Sequence, residues 1–518
     1  MTEPMNGAES LVRSLLASDV NVCFTNPGTS EMHFVAALDS VPGMRCVLAL
    51  FEGVATGAAD GYFRMRGVPA STLLHLGPGL ANGLSNLHNA KKAGSGVVNI
   101  VGEHATQHIA LDAPLTSDIE GLSWPMSHWV ETSTASSEIG AAGARAVQAA
   151  MTPPGQIATL ILPGDTAWDP GGVVAEALPA LRRTAVSSDQ IDAAAKMLGG
   201  PDSLIILGGV ALTEQGLDLA GKISAKTGCG LLTEWSNARL ERGAGRVAVN
   251  RIPYPVDQAL EILQPYRRIV LVGSKPPVAF FAYPDKPGVL TQEGTEFVEL
   301  CDWGGDILGG LDALCDAVGA NAATPVGVAQ AGRPELVDGP LHPDTIAPVL
   351  GALIPENAII VDESVTTGRR FFPMTAGAPQ HDWLNNRGGS IGYGMPCAIG
   401  AAIACPDRKV IALEGDGSAM YTVQSLWTMA REGLDITVLV FANRTYRILQ
   451  GELTNVGVQN PGPRAVDMLT LDRPALGWVE MARGMGVEAC RVSDAKALAT
   501  ALEAGLASEG PYLIELEM

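Results

Sequence analysis

Gly415-Asp416-Gly417-Ser418 is followed, 27 residues after Asp416, by Asn443-Arg444-Thr445-Tyr446. A carboxylate and an amide carbonyl are hard oxygen donors, suited to Mg²⁺, which usually keeps part of its shell for phosphate oxygens and water. Gly415 and Gly417 let backbone N–H groups approach an anion, and a helix after Ser418 adds its positive end. An apolar strand over 410–413 leads into the first group, and a helix and a second apolar strand over 436–441 separate it from the second. In a parallel sheet both loops emerge at the carboxyl ends of adjacent strands, where open α/β sheets place ligands. The spacing points to a divalent metal held against a diphosphate.

A second group lies in the first third of the chain. The apolar run Leu48-Ala49-Leu50-Phe51 ends on Glu52, and a helix of small residues is expected to follow. A carboxyl between Phe51 and a string of Ala and Gly is poorly solvated, as suits a group that shares a proton with a ligand. The alternative is an ordinary carboxylate at a helix N-terminus. Gly77-Pro78-Gly79-Leu80-Ala81-Asn82 reads as a glycine-rich turn between strand and helix, and Asn26-Pro27-Gly28-Thr29-Ser30-Glu31 as a turn with a helix cap.

These groups need α/β units to carry them. Short apolar strands alternate with Ala-rich helical stretches throughout the 518 residues, predicting parallel sheets in three successive units. Loop-rich segments over 169–188 and 319–343 separate the units. With a net charge of −21, neither nucleic acid nor an anionic membrane surface is expected as a partner. Eight scattered cysteines without a CxxC predict free thiols in a reduced setting. The N-terminal decapeptide has no signal-peptide pattern, and no apolar run approaches membrane-spanning length, so a cytoplasmic protein is expected.

Together the segments NPGTSE (26–31), FEGVATGAADGYFR (51–64), GPGLANGLSNLHNA (77–90), GGSIGYGMPCAIGA (388–401) and GDGS…NRTY (415–446) resemble the thiamine-diphosphate-dependent enzymes of the acetolactate synthase, benzoylformate decarboxylase and pyruvate decarboxylase group. The resemblance implies an α/β fold of three doubly wound parallel-sheet domains: pyrimidine-binding (1–170), central (188–320) and diphosphate-binding (342–518). It implies at least a homodimer, with a homotetramer expected, and an active site shared between two subunits. Carried over, Asp416, Asn443 and the main-chain carbonyl of Thr445 would ligate Mg²⁺. Ser418 would contact the diphosphate, with Gly415 and Gly417 in the same turn, and Thr366 and Tyr446 are further cofactor-binding candidates. Glu52 would hydrogen-bond the pyrimidine nitrogen, and Gly79 and Asn82 are further cofactor-binding candidates. Gly389 would accept from the exocyclic amine, and Ile391 would force the cofactor's bent shape. Glu363 and Val365 belong to the same stretch as Thr366.

The implied reaction is decarboxylation or carboligation of a small 2-oxo acid, acetolactate-synthase-like, through a carbanion and enamine on thiamine diphosphate. Benzoylformate-type decarboxylation and 2-hydroxyacyl thioester lysis are the alternatives. On the substrate side, Thr29, His75 and His104 are candidate catalytic residues, and His108 lies nearby. Phe281 stands where benzoylformate decarboxylase has a second catalytic histidine, and the RFDDR-type segment of flavin-containing acetolactate synthases is missing. Phe280, Phe281 and Tyr283 form either an apolar wall of the substrate pocket or an ordinary packed loop. No tightly bound FAD is expected. A catalytically silent paralogue would have no need of Glu52, Asp416 and Asn443 together, and an oxidoreductase would need a GxGxxG fingerprint that does not occur in register.

Overall fold

The strands at the centre of each unit are largely apolar, the pattern of sheets covered by helices on both faces. Ala70–Leu74, Val97–Glu103 and Ile157–Pro163 are buried from end to end, as are Ser203–Leu207 and Ile436–Ala442. The computed structural model, which describes residues 4–518, assembles them into an α/β fold with three sheets. The first sheet runs in the order Arg45–Leu48, Val22–Asn26, Ala70–Leu74, Val97–Glu103, Ile157–Pro163, Trp129–Thr132, all parallel. The second has five parallel strands from the middle of the chain. The third has seven, with Ile359–Glu363, Val410–Gly415 and Ile436–Ala442 adjacent to one another in its interior.

Strand order reverses twice where it matters. In the first sheet the chain turns one way after Val22–Asn26 and the other way after Arg45–Leu48, so the loops that leave Asn26 and Leu74 face each other. In the third sheet, Ile359–Glu363 lies between His381–Asn385 and Val410–Gly415, opening a crevice between the loops after Glu363 and Gly415. Such switch points are where open α/β sheets bind ligands. The residues leaving three of these strands adopt left-handed backbone without being glycine: Leu76 (φ 48°), Val365 (φ 51°) and Arg444 (φ 57°). Strain of this kind concentrates at ligand-binding loops.

The structure departs from the sequence reading in four places. The third sheet is not wholly parallel, because Leu240–Arg242 from the middle of the chain joins its edge antiparallel to His381–Asn385. The strand before Glu52 ends at Leu48, and Glu52 is the first residue of the helix Glu52–Arg66. Gly77 to Asn82 do not form a turn; they lie in the opening turns of the helix Leu76–Ala93. The helix after the GDGS segment begins at Asp416, so Gly417 and Ser418 are inside it.

The helices Glu52–Arg66 and Gly394–Ala404 join the first and third sheets by direct backbone contact. A Cβ on Gly61 would sit 2.1 Å from Cys397 O, and one on Gly400 would sit 1.9 Å from Ala58 O. One apolar cluster runs unbroken from Phe24 and Val97 through Met395 and Ile399 to Val410 and Val438. The two groups of site residues therefore sit on one continuous core.

Candidate active site

The first group forms at the switch point of the first sheet. Glu52 is buried, and Asn82 Nδ2 donates to its Oε2 at 3.0 Å. A Cβ on Gly79 would lie 3.1 Å from Glu52 Oε1 and 3.2 Å from His75 Cβ, so Gly79 keeps the carboxyl and the imidazole close together. His75 caps the helix Leu76–Ala93, and its Nδ1 lies 2.9 Å from Glu31 Oε2. Glu31 also accepts from Gly28 N (2.8 Å) and Ser30 Oγ (2.6 Å), and it is buried. Sequence reading treated this segment as a cap and missed Glu31 as the anchor of His75. Thr29 is exposed at the rim. His104 stands one strand further along, at the end of Val97–Glu103. Its ring meets that of His108 at 5.4 Å, its buried Nε2 has no hydrogen-bond partner, and its backbone N–H donates to Glu103 Oε1. Burial holds the Glu103 carboxyl above its ordinary range.

The second group forms at the crevice of the third sheet. Asp416 accepts from Arg444 N (2.7 Å) and Gly417 N (2.9 Å) and is buried, and burial pushes its pKa up to about 6. Asn443 Oδ1 is oriented by the N–H of Thr445 at 3.0 Å. The Tyr446 ring lies so close to Gly417 that a Cβ there would meet it at 2.3 Å, whereas a Cβ on Gly415 would make only ordinary contacts. Gly417 is thus demanded by packing, and Gly415 leaves space. Ser418 is buried beside them, and Thr366 is half-buried on the facing loop. A cavity of about 910 Å³ opens beside Thr366 and Asn443, with Arg369, Arg447, Tyr254 and Tyr283 also in its wall.

This set fits a Mg²⁺–diphosphate head. Among the described residues, no group of three or more His, Cys, Asp or Glu could hold a metal alone. A cation here would rely on Asp416, Asn443, a backbone carbonyl such as that of Thr445, and phosphate oxygens, a composition that suits Mg²⁺.

The loop 386–394 rises next to this crevice. Gly389 has φ +81°, and a Cβ would strike the Phe280 ring at 2.9 Å. Phe280 packs against Trp235 (5.2 Å), Tyr254 (5.5 Å) and Phe281 (4.7 Å), so an aromatic group from the middle of the chain leans on Gly389. Phe281 is 53% exposed, so it is not a core residue. Ile391 is half-buried at the tip. Underneath, Glu363 Oε2 accepts from Tyr393 N and Gly394 N (both 2.9 Å), and Asn386 Nδ2 donates to its Oε1. Its neighbour across the sheet, Glu414, is fully buried with no hydrogen-bond partner on either oxygen. Burial holds both carboxyls above the ordinary carboxylate range, and repulsion from Glu363 pushes Glu414 up further.

Among the described residues no hydrogen bond joins Glu52 or Asn82 to Asp416, Asn443 or Ser418. Two family descriptions match the regions that carry these two groups. "Thiamine pyrophosphate enzyme, N-terminal TPP binding domain" covers residues 5–123 and the Glu52 group. "Thiamine pyrophosphate enzyme, C-terminal TPP binding domain" covers residues 364–516 and the Asp416 group. Over its whole length the chain is 49% identical to a Mycobacterium tuberculosis protein provisionally named acetolactate synthase large subunit IlvX, across 99% of both chains. The protein belongs to the thiamine pyrophosphate enzyme family.

Within that family, the chain is also 30% identical to benzoylformate decarboxylase of Pseudomonas aeruginosa over 95% of each chain. A solved thiamine diphosphate-dependent 4-hydroxybenzoylformate decarboxylase of Rhodococcus jostii RHA1 shares the fold, with a TM-score of 0.85, 24% identity and 99% of both chains covered. No helix among the described residues is long and apolar enough to cross a membrane.

Proposed function

We propose that this thiamine pyrophosphate enzyme is a Mg²⁺-dependent decarboxylase or carboligase of small 2-oxo acids, acetolactate-synthase-like, working as a homodimer or a homotetramer in the cytoplasm. The observation that carries the reading is the Asp416–Asn443 oxygen pair at one switch point, matched by the Glu52–Asn82 pair at the other. Thiamine diphosphate, when bound, supplies a nucleophilic carbon that adds to the 2-oxo group and takes up the electron pair left by CO₂. Asp416, Asn443 and Thr445 would hold the metal and Ser418 and Thr366 the diphosphate. Glu52, oriented by Asn82, would exchange a proton with the pyrimidine nitrogen, a role that a poorly solvated carboxyl can fill. Gly389 and Ile391 would hold the pyrimidine half in place. His75, fixed by Glu31, and His104 would present protons on the substrate side. Leu50, Met420 and Tyr421 stay 47%, 39% and 56% exposed. An apolar rim of this kind beside both half-sites supports a site completed by a second copy.

A second reading has one specific observation in its favour. The aromatic group Trp235, Tyr254, Phe280 and Phe281 over Gly389 suits a large flat substituent better than the methyl of pyruvate. It favours an aryl-substituted 2-oxo acid, as the benzoylformate decarboxylase relative's name suggests for that protein. Incubating protein loaded with thiamine diphosphate and Mg²⁺ with pyruvate, longer 2-oxo acids, arylglyoxylates and aldehydes, then identifying products by NMR, tests both. Acetolactate from pyruvate supports the first reading and an aryl aldehyde the second. Absence of any product across the panel would sink both.

A further inference from the structure

The helix Leu76–Ala93 does more than carry Asn82. Its second half reaches across to the loop 388–392 of the third sheet through three side chains on one face. Asn89 Nδ2 donates to Ser390 O (2.8 Å), and its Oδ1 accepts from Ser390 N (3.1 Å). Asn86 Nδ2 donates to Gly392 O (3.1 Å), and His88 Nε2 donates to Gly388 O (3.1 Å). Asn86 and Asn89 are almost wholly buried, and Asn89 also donates to Asn86 Oδ1 (2.9 Å). From the other end, Asn86 Nδ2 donates to Gly53 O (2.8 Å), in the first turn of the helix that begins with Glu52. Thr56 Oγ1 bonds Gly83 O (3.0 Å) and Glu52 O (3.2 Å), tying the two helices together one turn further along.

The loop itself cannot hold its shape unaided. Gly389 and Gly392 both sit at positive φ, with φ of +81° and +88°, and such residues have the widest freedom when released. On the side of the third sheet, Asn386, itself held by Glu363, bonds Gly389 N and Ser390 O, and Thr422 Oγ1 donates to Gly392 O (3.1 Å). Four further hydrogen bonds, to Gly388 O, Ser390 N, Ser390 O and Gly392 O, come from the helix Leu76–Ala93.

We propose that Asn86 and Asn89 are positioning residues for the cofactor. They lock the 388–392 loop to the first turn of the Glu52 helix, so that the carboxyl and the Gly389–Ile391 bend are set by one continuous chain of hydrogen bonds. The assignment rests on the reading of Glu52, Gly389 and Ile391 given under Proposed function. Neither asparagine touches the Asp416–Asn443 pair, so the metal and diphosphate end lies outside this chain. If Glu52 serves the cofactor of the partner subunit while the loop serves its own, the same residues link two cofactors in a dimer.

The test is Asn89→Ala in the full-length protein, with Asn86→Ala as a second variant and half-buried His88→Ala as the one least exposed to folding failure. Amide hydrogen exchange of the cofactor-free protein should speed up about tenfold or more across 386–394 and in the first turn of the Glu52 helix, with the 410–418 and 436–446 segments unchanged. Titration with thiamine diphosphate and Mg²⁺ should give an affinity within about threefold of wild type, since the diphosphate end is untouched. The near-ultraviolet circular dichroism of the bound cofactor should nevertheless be altered or lost. Unchanged exchange at 386–394, or an unchanged dichroism band despite loosened exchange, would overturn the positioning role and leave the asparagines as ordinary packing. Failure of the wild-type protein to bind thiamine diphosphate would instead remove the functional reading, while the exchange result still decides whether the lock exists.

Discussion

At the residue scale, the chemistry divides between groups that were plain in the sequence and groups that only folding brings together. Asp416 and Asn443 could be named from type and spacing because both loops follow apolar strands, and strand ends are where side chains meet ligands. Replacing Asp416 with Ala removes one of two side-chain donors, so thiamine diphosphate affinity measured by calorimetry with Mg²⁺ should fall by about tenfold or more. Wild-type affinity would show that no metal is held there. Glu31 was hidden because its segment reads equally well as a turn with a cap; only the fold sets it 2.9 Å from His75. The Glu363–Glu414 pair was hidden for a similar reason. Their contact is a matter of strand register between segments 51 residues apart, which no local pattern encodes.

At the scale of elements, the pairing of Glu52–Arg66 with Gly394–Ala404 decides how the halves meet. The small-residue composition of both helices was visible, but it did not say that they pack on each other. Arg64 locks the contact. It reaches Asp60 with two bonds of 2.7 Å and donates to Tyr393 Oη, Asn385 O and Ala238 O, joining residues of all three sheet regions. Both charges are buried, with side-chain exposures of 1% and 0%. Arg64→Met leaves Asp60 as an unpaired buried carboxylate and should cost roughly 3–5 kcal/mol in urea unfolding. The double variant Asp60→Leu/Arg64→Met removes both charges and should cost less than the single one. Equal losses would mean that the arginine acts through packing alone. The antiparallel strand Leu240–Arg242 escaped prediction because three residues carry too little periodicity to be read.

At the scale of the whole molecule, the α/β class and the three-sheet plan were legible, because continuous apolar strands alternating with helices permit few other folds. His381 makes stability depend on pH. Burial, reinforced by Arg242, pulls the His381 pKa down to about 3. With the folded value below the unfolded one of about 6.5, the unfolded chain binds the extra proton. Stability from this group is therefore complete above pH ~6.5 and is lost as pH falls towards 3, at up to about 1.4 kcal/mol per pH unit. Unfolding followed from pH 7 to pH 4 should show a shallower slope in His381→Gln; an unchanged slope would assign the loss to other groups. If the halves join across a dimer, mixing Glu52→Gln and Asp416→Ala subunits by unfolding and refolding should restore about a quarter of wild-type activity, because random pairing leaves one intact site in half of the dimers. No recovery would put both residues to work within one chain. The most direct measurement of the central claim is deuterium exchange at C2 of thiamine diphosphate, followed by NMR after rapid quenching. Wild-type protein should accelerate exchange far beyond the free cofactor, and Glu52→Gln should lose about 10²–10⁴-fold of that rate while still binding. Exchange no faster than in free solution, or equal rates in the two proteins, would contradict it.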